Sequence, residues 1–170
     1  MTDQRFYGKY RGTVVNNVDP EQTGHLLVEV SDSHGLSISS WAAPCFPIGG
    51  LQSGIWAVPA VGSAVWVEFE AGDPDYPIWS GGSYGTAAQV PALALAGLPG
   101  SPSIVMQTLG QNTLMISDAP GPAGGILLKT TAGAMISIST AGIVISNGQG
   151  ATITLTGPTT TVNNGALVVT

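Results

Sequence analysis

The sequence contains one serine motif with the spacing of a hydrolase nucleophile. Gly81-Gly82-Ser83-Tyr84-Gly85 matches G-x-S-x-G, in which a sharp strand-to-helix turn exposes the serine hydroxyl. That chemistry needs a helix after the serine, and then an acid and a histidine later in the chain. Here proline and glycine follow soon, and His25 and His34 both precede the serine. We therefore interpret the motif as the flexible end of a β-barrel, and a small hydrolase using Ser83 is kept as an alternative.

Two pairs of acidic residues have the spacing of carboxylate sites. Glu68 and Glu70 are expected on one strand face and could mimic a paired-carboxylate hydrolase, although an exposed strand face with alternating glutamates explains them more simply. Asp73 and Asp75 match a fragment of a calcium loop, but the remaining oxygen ligands are missing and a turn is the better interpretation. No catalytic residue is therefore assigned.

The histidines, the cysteine and the tryptophans suggest no further chemistry. His25 and His34 flank one predicted strand without a cysteine or carboxylate cluster at ligand spacing, so no metal site and no cofactor are predicted. Cys45 is the only cysteine, which excludes an internal disulfide, and it is expected to be a small core residue. The tryptophans are interpreted as core and trimer-contact residues, namely Trp41, Trp56, Trp66 and Trp79.

The composition limits the class of protein. The 170 residues carry a net charge of −6, and only 8% of them are charged, against a usual quarter. No run of about 18 apolar residues occurs, and the polar start lacks the apolar core of a secretory signal, so we expect assembly in the cytoplasm. The acidic balance argues against nucleic-acid binding, and the cluster of Arg5, Lys9 and Arg11 is interpreted as a solvated strand edge.

The charged residues are distributed unevenly along the chain. Twelve of the fourteen precede residue 86, and only Asp118 and Lys129 follow it. This shift in composition predicts a first domain over residues 1–85, a Pro-rich linker over 86–102 and a second domain over 103–170.

The first domain reads as about five short strands separated by turns, without a helical period. Its clearest strand is Gly62–Glu70, where Val65, Val67 and Phe69 alternate with polar or smaller residues. A second strand places Leu26, Val28 and Val30 on one face. Short strands in about 75 residues predict a Greek-key barrel of the OB type.

Three segments of the first domain carry a family resemblance. They are GKYRGTVVNNVDPEQTGHLLVEV, WAAPCFPIGG and PAVGSAVWVEFEAGDPDYPIWSGGSYG. Together they closely resemble the N-terminal OB domain of contractile-tail spike proteins. That family includes phage baseplate assembly protein V, the VgrG-type spikes of type VI secretion and the spikes of extracellular contractile injection systems.

The second domain repeats a simple pattern of short apolar segments separated by glycine, asparagine, serine and threonine. The segments are 104–106, 114–116, 126–128, 135–138, 143–145, 153–155 and 167–169. The absence of heptads and of glycine at every third position excludes a coiled coil and collagen. A lone ribbon of such strands would bury too little apolar surface and leave open edges, so we expect three chains to wind about one axis, with hydroxyl side chains outside.

The resemblance implies a matching architecture and function. In that family the OB domain is followed by an intertwined triple-stranded β-helix, which implies an all-β homotrimer acting as the central spike of a contractile injection apparatus. The resemblance implies hub and inner-tube partners at the OB end, transient contact with the target membrane, and a PAAR-like tip protein on the terminal residues Leu167, Val168, Val169 and Thr170. A trimeric tail fibre or adhesin is kept as the second alternative. It would need a receptor-binding knob or variable loops after the β-helix.

Overall fold

The computed structural model describes residues 5–31, 37–97 and 99–170 of the chain. It divides into two compact units, Met1–Gly85 and Thr86–Thr170. His34, one of the two histidines considered above, lies outside the described residues.

The first unit is built around a closed five-stranded β-barrel. Its strands, with a short hairpin of β4 and β5, are β1 (Tyr10–Asn16), β2 (Leu26–Ser31), β3 (Ser37–Pro44), β4 (Gly49–Gly50), β5 (Ser53–Gly54), β6 (Ala64–Phe69) and β7 (Pro77–Ser83). The barrel order is β1-β2-β3-β7-β6, and β6 closes the barrel by pairing with β1. Only the β3–β7 pair is parallel. This arrangement confirms the all-β class and the OB-like barrel.

The barrel core follows from the alternation of apolar residues along the strands. Leu26, Val28 and Val30 of β2 are fully buried, as are Val65 and Val67 of β6 apart from at most 1% of their surface. Trp79 is also buried, and its indole N–H donates to the backbone oxygen of Gly24 at 3.0 Å. The side-chain directions predicted for β2 and β6 are therefore confirmed.

The turn between β1 and β2 is organised by the Asp19 carboxylate. It accepts hydrogen bonds from the amides of Glu21, Thr23, Gly24 and His25 at 2.8 to 3.0 Å. Desolvation raises the pKa of Asp19, but the hydrogen bonds from Glu21, Thr23 and His25 outweigh it and hold that pKa well below its usual range. The ionised carboxylate thus takes the place of the backbone acceptors that the turn lacks.

The segment after β3 differs from the expectation for Cys45. Its thiol is exposed, so the prediction of a core cysteine is wrong. The amide of Cys45 donates to the Trp79 oxygen at 2.9 Å, which continues the extended β3–β7 pairing by one residue. Because side chains alternate along an extended chain, Phe46 then turns inward onto Trp79, and Cys45 turns outward.

The second unit is an eight-stranded antiparallel sheet in which each strand pairs with the next along the chain. The strands are β8 (Ser103–Gln107), β9 (Thr113–Ser117), β10 (Gly125–Lys129), β11 (Met135–Ser139), β12 (Gly142–Ser146), β13 (Thr152–Thr156), β14 (Thr159–Val162) and β15 (Leu167–Val169). Seven of them contain the seven predicted apolar segments. The eighth, β14, was missed because it reads Thr-Thr-Thr-Val.

The segment predicted as a linker contains two short turns of 3-10 helix, Ala87–Gln89 and Ala92–Leu95. It belongs to the second unit. Leu93 and Ala96 line a cavity of about 220 Å³ together with Met115 and Leu127 of the sheet. The apolar part of this segment thus lies against the first strands of the sheet, on the face that carries Met115.

Candidate functional site

One face of the eight-stranded sheet carries almost only aliphatic side chains, and we call it the aliphatic face. Residues that are directly paired across antiparallel strands point to the same side, so the register defines two rows across the sheet. The first row is Ile104, Ile116, Ile126, Ile138, Ile143, Leu155, Thr160 and Val169. The second row is Met106, Leu114, Leu128, Ile136, Ile145, Ile153, Val162 and Leu167. Thr160 is the one polar residue among these sixteen positions.

The aliphatic face is uncovered within a single chain. Eight of its residues on the inner strands expose 38% to 44% of their surface, namely Ile116, Ile126, Leu128, Ile136, Ile138, Ile145, Ile153 and Leu155. Eight strands about 4.8 Å apart and five residues long give a footprint of about 500 Å². A contiguous apolar surface of this size marks an interaction site. The face therefore requires a covering surface of similar chemistry.

The opposite face is rich in hydroxyl groups from β11 onward. Ser137, Ser139 and Thr154 project to this side, because their cross-strand partners are not in either aliphatic row. Ahead of β11 the same face carries Met115, which is 9% exposed, and Lys129. The expected division into an apolar side and a hydroxyl-bearing side thus agrees with the register.

Thr152 is an exception on the hydroxyl-bearing side. Its side-chain oxygen is buried and has no hydrogen-bond partner in the part of the chain that the structure describes. Its amide donates to the side-chain oxygen of Asn163 at 3.0 Å, which links β13 to the turn between β14 and β15. Thr152 is therefore not an open outer position.

The turns along one side of the sheet are connected to one another by side chains. The amide of Thr131, in the turn after β10, donates to the Asn112 side-chain oxygen at 3.3 Å, and the Thr131 hydroxyl donates to the Gly110 oxygen. The turn after β12 is closed by Asn147, whose side-chain oxygen accepts from the amides of Gln149 and Ala151. These bonds stabilise the register, and a one-residue slip would turn the aliphatic side chains to the wrong face.

The four terminal residues predicted to contact a tip protein lie at the end of the sheet. Leu167 and Val169 belong to the aliphatic face, whereas Val168 points to the opposite side. These three side chains expose 49% to 59% of their surface, and Thr170 is also exposed. Strand β15 pairs only with β14 among the described strands, so its other edge offers free backbone donors and acceptors.

The candidate serine site does not assemble in the barrel. Ser83 is the last residue of β7 and pairs with Ala64 across the sheet, and the next element is the 3-10 turn at Ala87–Gln89. The ring of His25 contacts the Thr23 hydroxyl at 2.7 Å and lies 3.6 Å from the Asp19 carboxylate. Within the described chain, His25 is thus engaged in the β1–β2 turn and not with Ser83.

The acidic pairs also have structural roles. Glu68 lies 3.1 Å from the Lys9 ammonium, while Glu70 begins the 3-10 turn Glu70–Gly72 beyond the end of β6. The expectation that both glutamates share a strand face is therefore wrong, because the strand ends at Phe69. Asp73 accepts a hydrogen bond from the Asp75 amide at 3.1 Å, as expected for a turn. Among residues 5–31, 37–97 and 99–170, no group of three or more His, Cys, Asp or Glu could hold a metal ion.

The basic residues near the start of the chain have partners on the barrel itself. Arg5 pairs with Asp73 at 3.0 Å, and Lys9 pairs with Glu68. The Arg11 guanidinium lies 4.8 Å from the centre of the Trp66 ring, a cation–π distance. These contacts agree with the interpretation of a solvated strand edge.

Two family models match the chain, one on each unit. Residues 10–84 match the Type VI secretion system/phage-baseplate injector OB domain, and residues 103–168 match the phage baseplate V C-terminal trimerisation domain. These matches of 75 and 66 residues cover 141 of the 170 residues. The chain belongs to the phage baseplate V family. No curated protein matches it.

Membership of the phage baseplate V family explains the two units. The first is the OB domain, and the second, which carries the aliphatic face, is a trimerisation domain, so the protein is a homotrimer and a structural baseplate protein. Both matched domains are structural baseplate domains and not enzymes. Within the described residues, no helix has the length and apolar character needed to cross a membrane.

Proposed function

We propose that this baseplate V protein is the central spike of a contractile injection apparatus and that it punctures the target cell envelope when the sheath contracts. The observation that carries the proposal is the aliphatic face, which runs across all eight strands of the trimerisation domain with a single polar position. Three such faces directed at one axis form an intertwined triple-stranded β-helix with a dry interior and a hydroxyl-rich exterior.

Such a needle is suited to transmitting force. Each chain already satisfies the backbone hydrogen bonds of its inner strands, so the trimer adds close packing of aliphatic side chains along the axis. A closely packed interior has low compressibility, and a closed three-sided needle has few soft directions in which to bend. The work of the protein is mechanical, without a cofactor.

The two ends of the spike bind different partners in this proposal. The OB domain lies beneath the hub and the inner tube, and its uncharged β4–β5 hairpin offers exposed apolar side chains such as Leu51, Trp56 and Ile48 for that contact. At the other end, a PAAR-like tip protein covers Leu167–Thr170 and the free edge of β15. The protein assembles in the cytoplasm as part of a phage tail-like particle, binds no nucleic acid and contacts the target membrane only during puncture.

The exterior of the needle provides the test. From Thr130 to Thr170 the chain has no charged residue, which lowers the cost of entering a lipid layer. We expect Ser139→Lys, which places three cations on the hydroxyl-bearing side of the trimer, to reduce killing of target cells by purified particles. Particle assembly and sheath contraction, followed by electron microscopy, should remain at the wild-type level.

Ser139→Asn is the matched control, because it adds a side chain of intermediate size without charge. Killing by this variant is expected to match the wild type. If Ser139→Lys particles contract normally and kill as well as the wild type, passage of the needle through the envelope is not the step that kills, and the proposed puncturing role is refuted.

A further inference from the structure

Thr160 interrupts the aliphatic face at one position of sixteen. It is paired with Leu155 on one side and with Val169 on the other, so its side chain lies in the first aliphatic row. Ile153, Val162 and Leu167 continue the second row beside it. In the part of the chain that the structure describes, the Thr160 hydroxyl makes no hydrogen bond. A half-buried polar group among aliphatic neighbours therefore has no partner within its own chain.

We propose that Thr160 fixes the axial register of the three chains. The proposal rests on the proposed function, in which three aliphatic faces meet on one axis. With the chains in register, the three Thr160 hydroxyls lie at the same height. Each hydroxyl can donate one hydrogen bond and accept another, so three of them form a closed ring in which every donor has an acceptor.

The other layers discriminate poorly between registers. Ile-x-Ile or a similar aliphatic pair recurs on β10, β11, β12 and β13, and each strand is five residues long. Shifting one chain along the axis by one strand, about 4.8 Å, again places aliphatic side chains against aliphatic side chains. Apart from lost contacts at the two ends, only the Thr160 layer changes in chemistry.

A shifted chain separates its hydroxyl from the other two. The Thr160 of that chain then lies against leucine, isoleucine or valine, and a polar group buried without a hydrogen bond is costly. A single polar layer in an apolar interface specifies register in coiled coils by the same physics. Thr160 is a positioning residue in this proposal, and it binds the equivalent residue of two other copies of the chain.

The register can be tested by symmetry, because shifting one chain relative to the others destroys the three-fold axis. The full-length wild type and Thr160→Val are compared by methyl NMR with isoleucine δ1 methyl labels. The wild-type trimer is expected to give one resonance for each axial isoleucine, including Ile153. Thr160→Val has nearly the same shape but no hydroxyl, and we expect at least two resonances for Ile153 and Ile145.

Two further variants separate register from stability. Thr160→Ser keeps the hydroxyl and should give single resonances, whereas Thr154→Val removes a hydroxyl from the opposite face of the sheet and should also give single resonances. The sedimentation of each protein is measured in parallel. A trimeric Thr160→Val with one resonance for each isoleucine would overturn the proposed register role while leaving the trimer intact, and a monomeric wild type would refute the proposed needle itself.

Discussion

Ile153 provides the most direct test of the aliphatic face, because the same strand offers a matched control. Ile153 exposes 41% of its surface in the single chain, and trimer formation is expected to bury this remainder. Fully burying an isoleucine is worth about 1.5 to 3 kcal/mol, so the remaining burial contributes about 1 kcal/mol per chain. Ile153→Asn loses this contribution and also places an amide without a hydrogen-bond partner in the apolar interior, at a cost of about 1 to 3 kcal/mol.

The effect is multiplied by three because every chain carries the substitution. The trimer is then destabilised by about 6 to 12 kcal/mol, and each 1.4 kcal/mol changes the association constant tenfold. Wild-type protein should sediment as a species of about 52 kDa, three chains of 17.2 kDa, at micromolar concentration. Ile153→Asn is expected to lose this species.

Thr156→Asn is the control, since Thr156 is exposed on the opposite face of the same strand β13. It receives the same side chain and should remain trimeric with an unchanged melting temperature. If Ile153→Asn also sediments at about 52 kDa and melts at the wild-type temperature, the aliphatic face does not line the trimer axis, and the derivation from register is refuted.

Two further predictions concern the barrel and the end of the needle. Because the folded-state pKa of Asp19 lies below its unfolded value of about 3.9, its stabilisation of the barrel is complete above that value and is lost as pH falls through it. Asp19→Asn should therefore lower the urea midpoint of tryptophan fluorescence at pH 7, and the difference from the wild type should shrink at pH 3; an equal difference at both pH values would contradict the role of the ionised carboxylate. Removal of residues 167–170 should leave the trimer intact but deplete one small protein from purified particles, as measured by mass spectrometry, whereas unchanged particle composition would refute the tip contact.

The barrel strands with strict alternation were predictable from the sequence. In β6, buried valines and Phe69 alternate with half-buried residues, which is the pattern expected of a strand with one face in a core. Local patterns failed where the chain leaves a strand. Glu70 continues the alternation on paper but lies in a turn, and Cys45 lies between core residues in sequence yet points outward.

In the second unit, the apolar segments predicted seven strands but not the pairing between them. The missed strand β14 has a signal in the spacing, since the last two apolar segments begin at residues 153 and 167, the longest interval in the series. Threonine is β-branched and favours strands, so three consecutive threonines in that interval are compatible with a strand. The β4–β5 hairpin was also missed, because two glycine-containing pairs carry no hydrophobic pattern.

The pairing of strands within one chain changes how the second unit avoids aggregation. A charge-free, β-branched sequence is hazardous when its backbone is open, but here each of the strands β9 to β14 has a partner on both sides. The open backbone is therefore confined to β8 and β15, at the two ends of the sheet. What remains uncovered in the single chain is chiefly side-chain surface, which aliphatic packing in the homotrimer covers without exchanging strands among the inner positions. It follows that the trimer interface is a packed interior divided among three chains, and that its specificity must come from positions that are not aliphatic, of which Thr160 is the one within the rows.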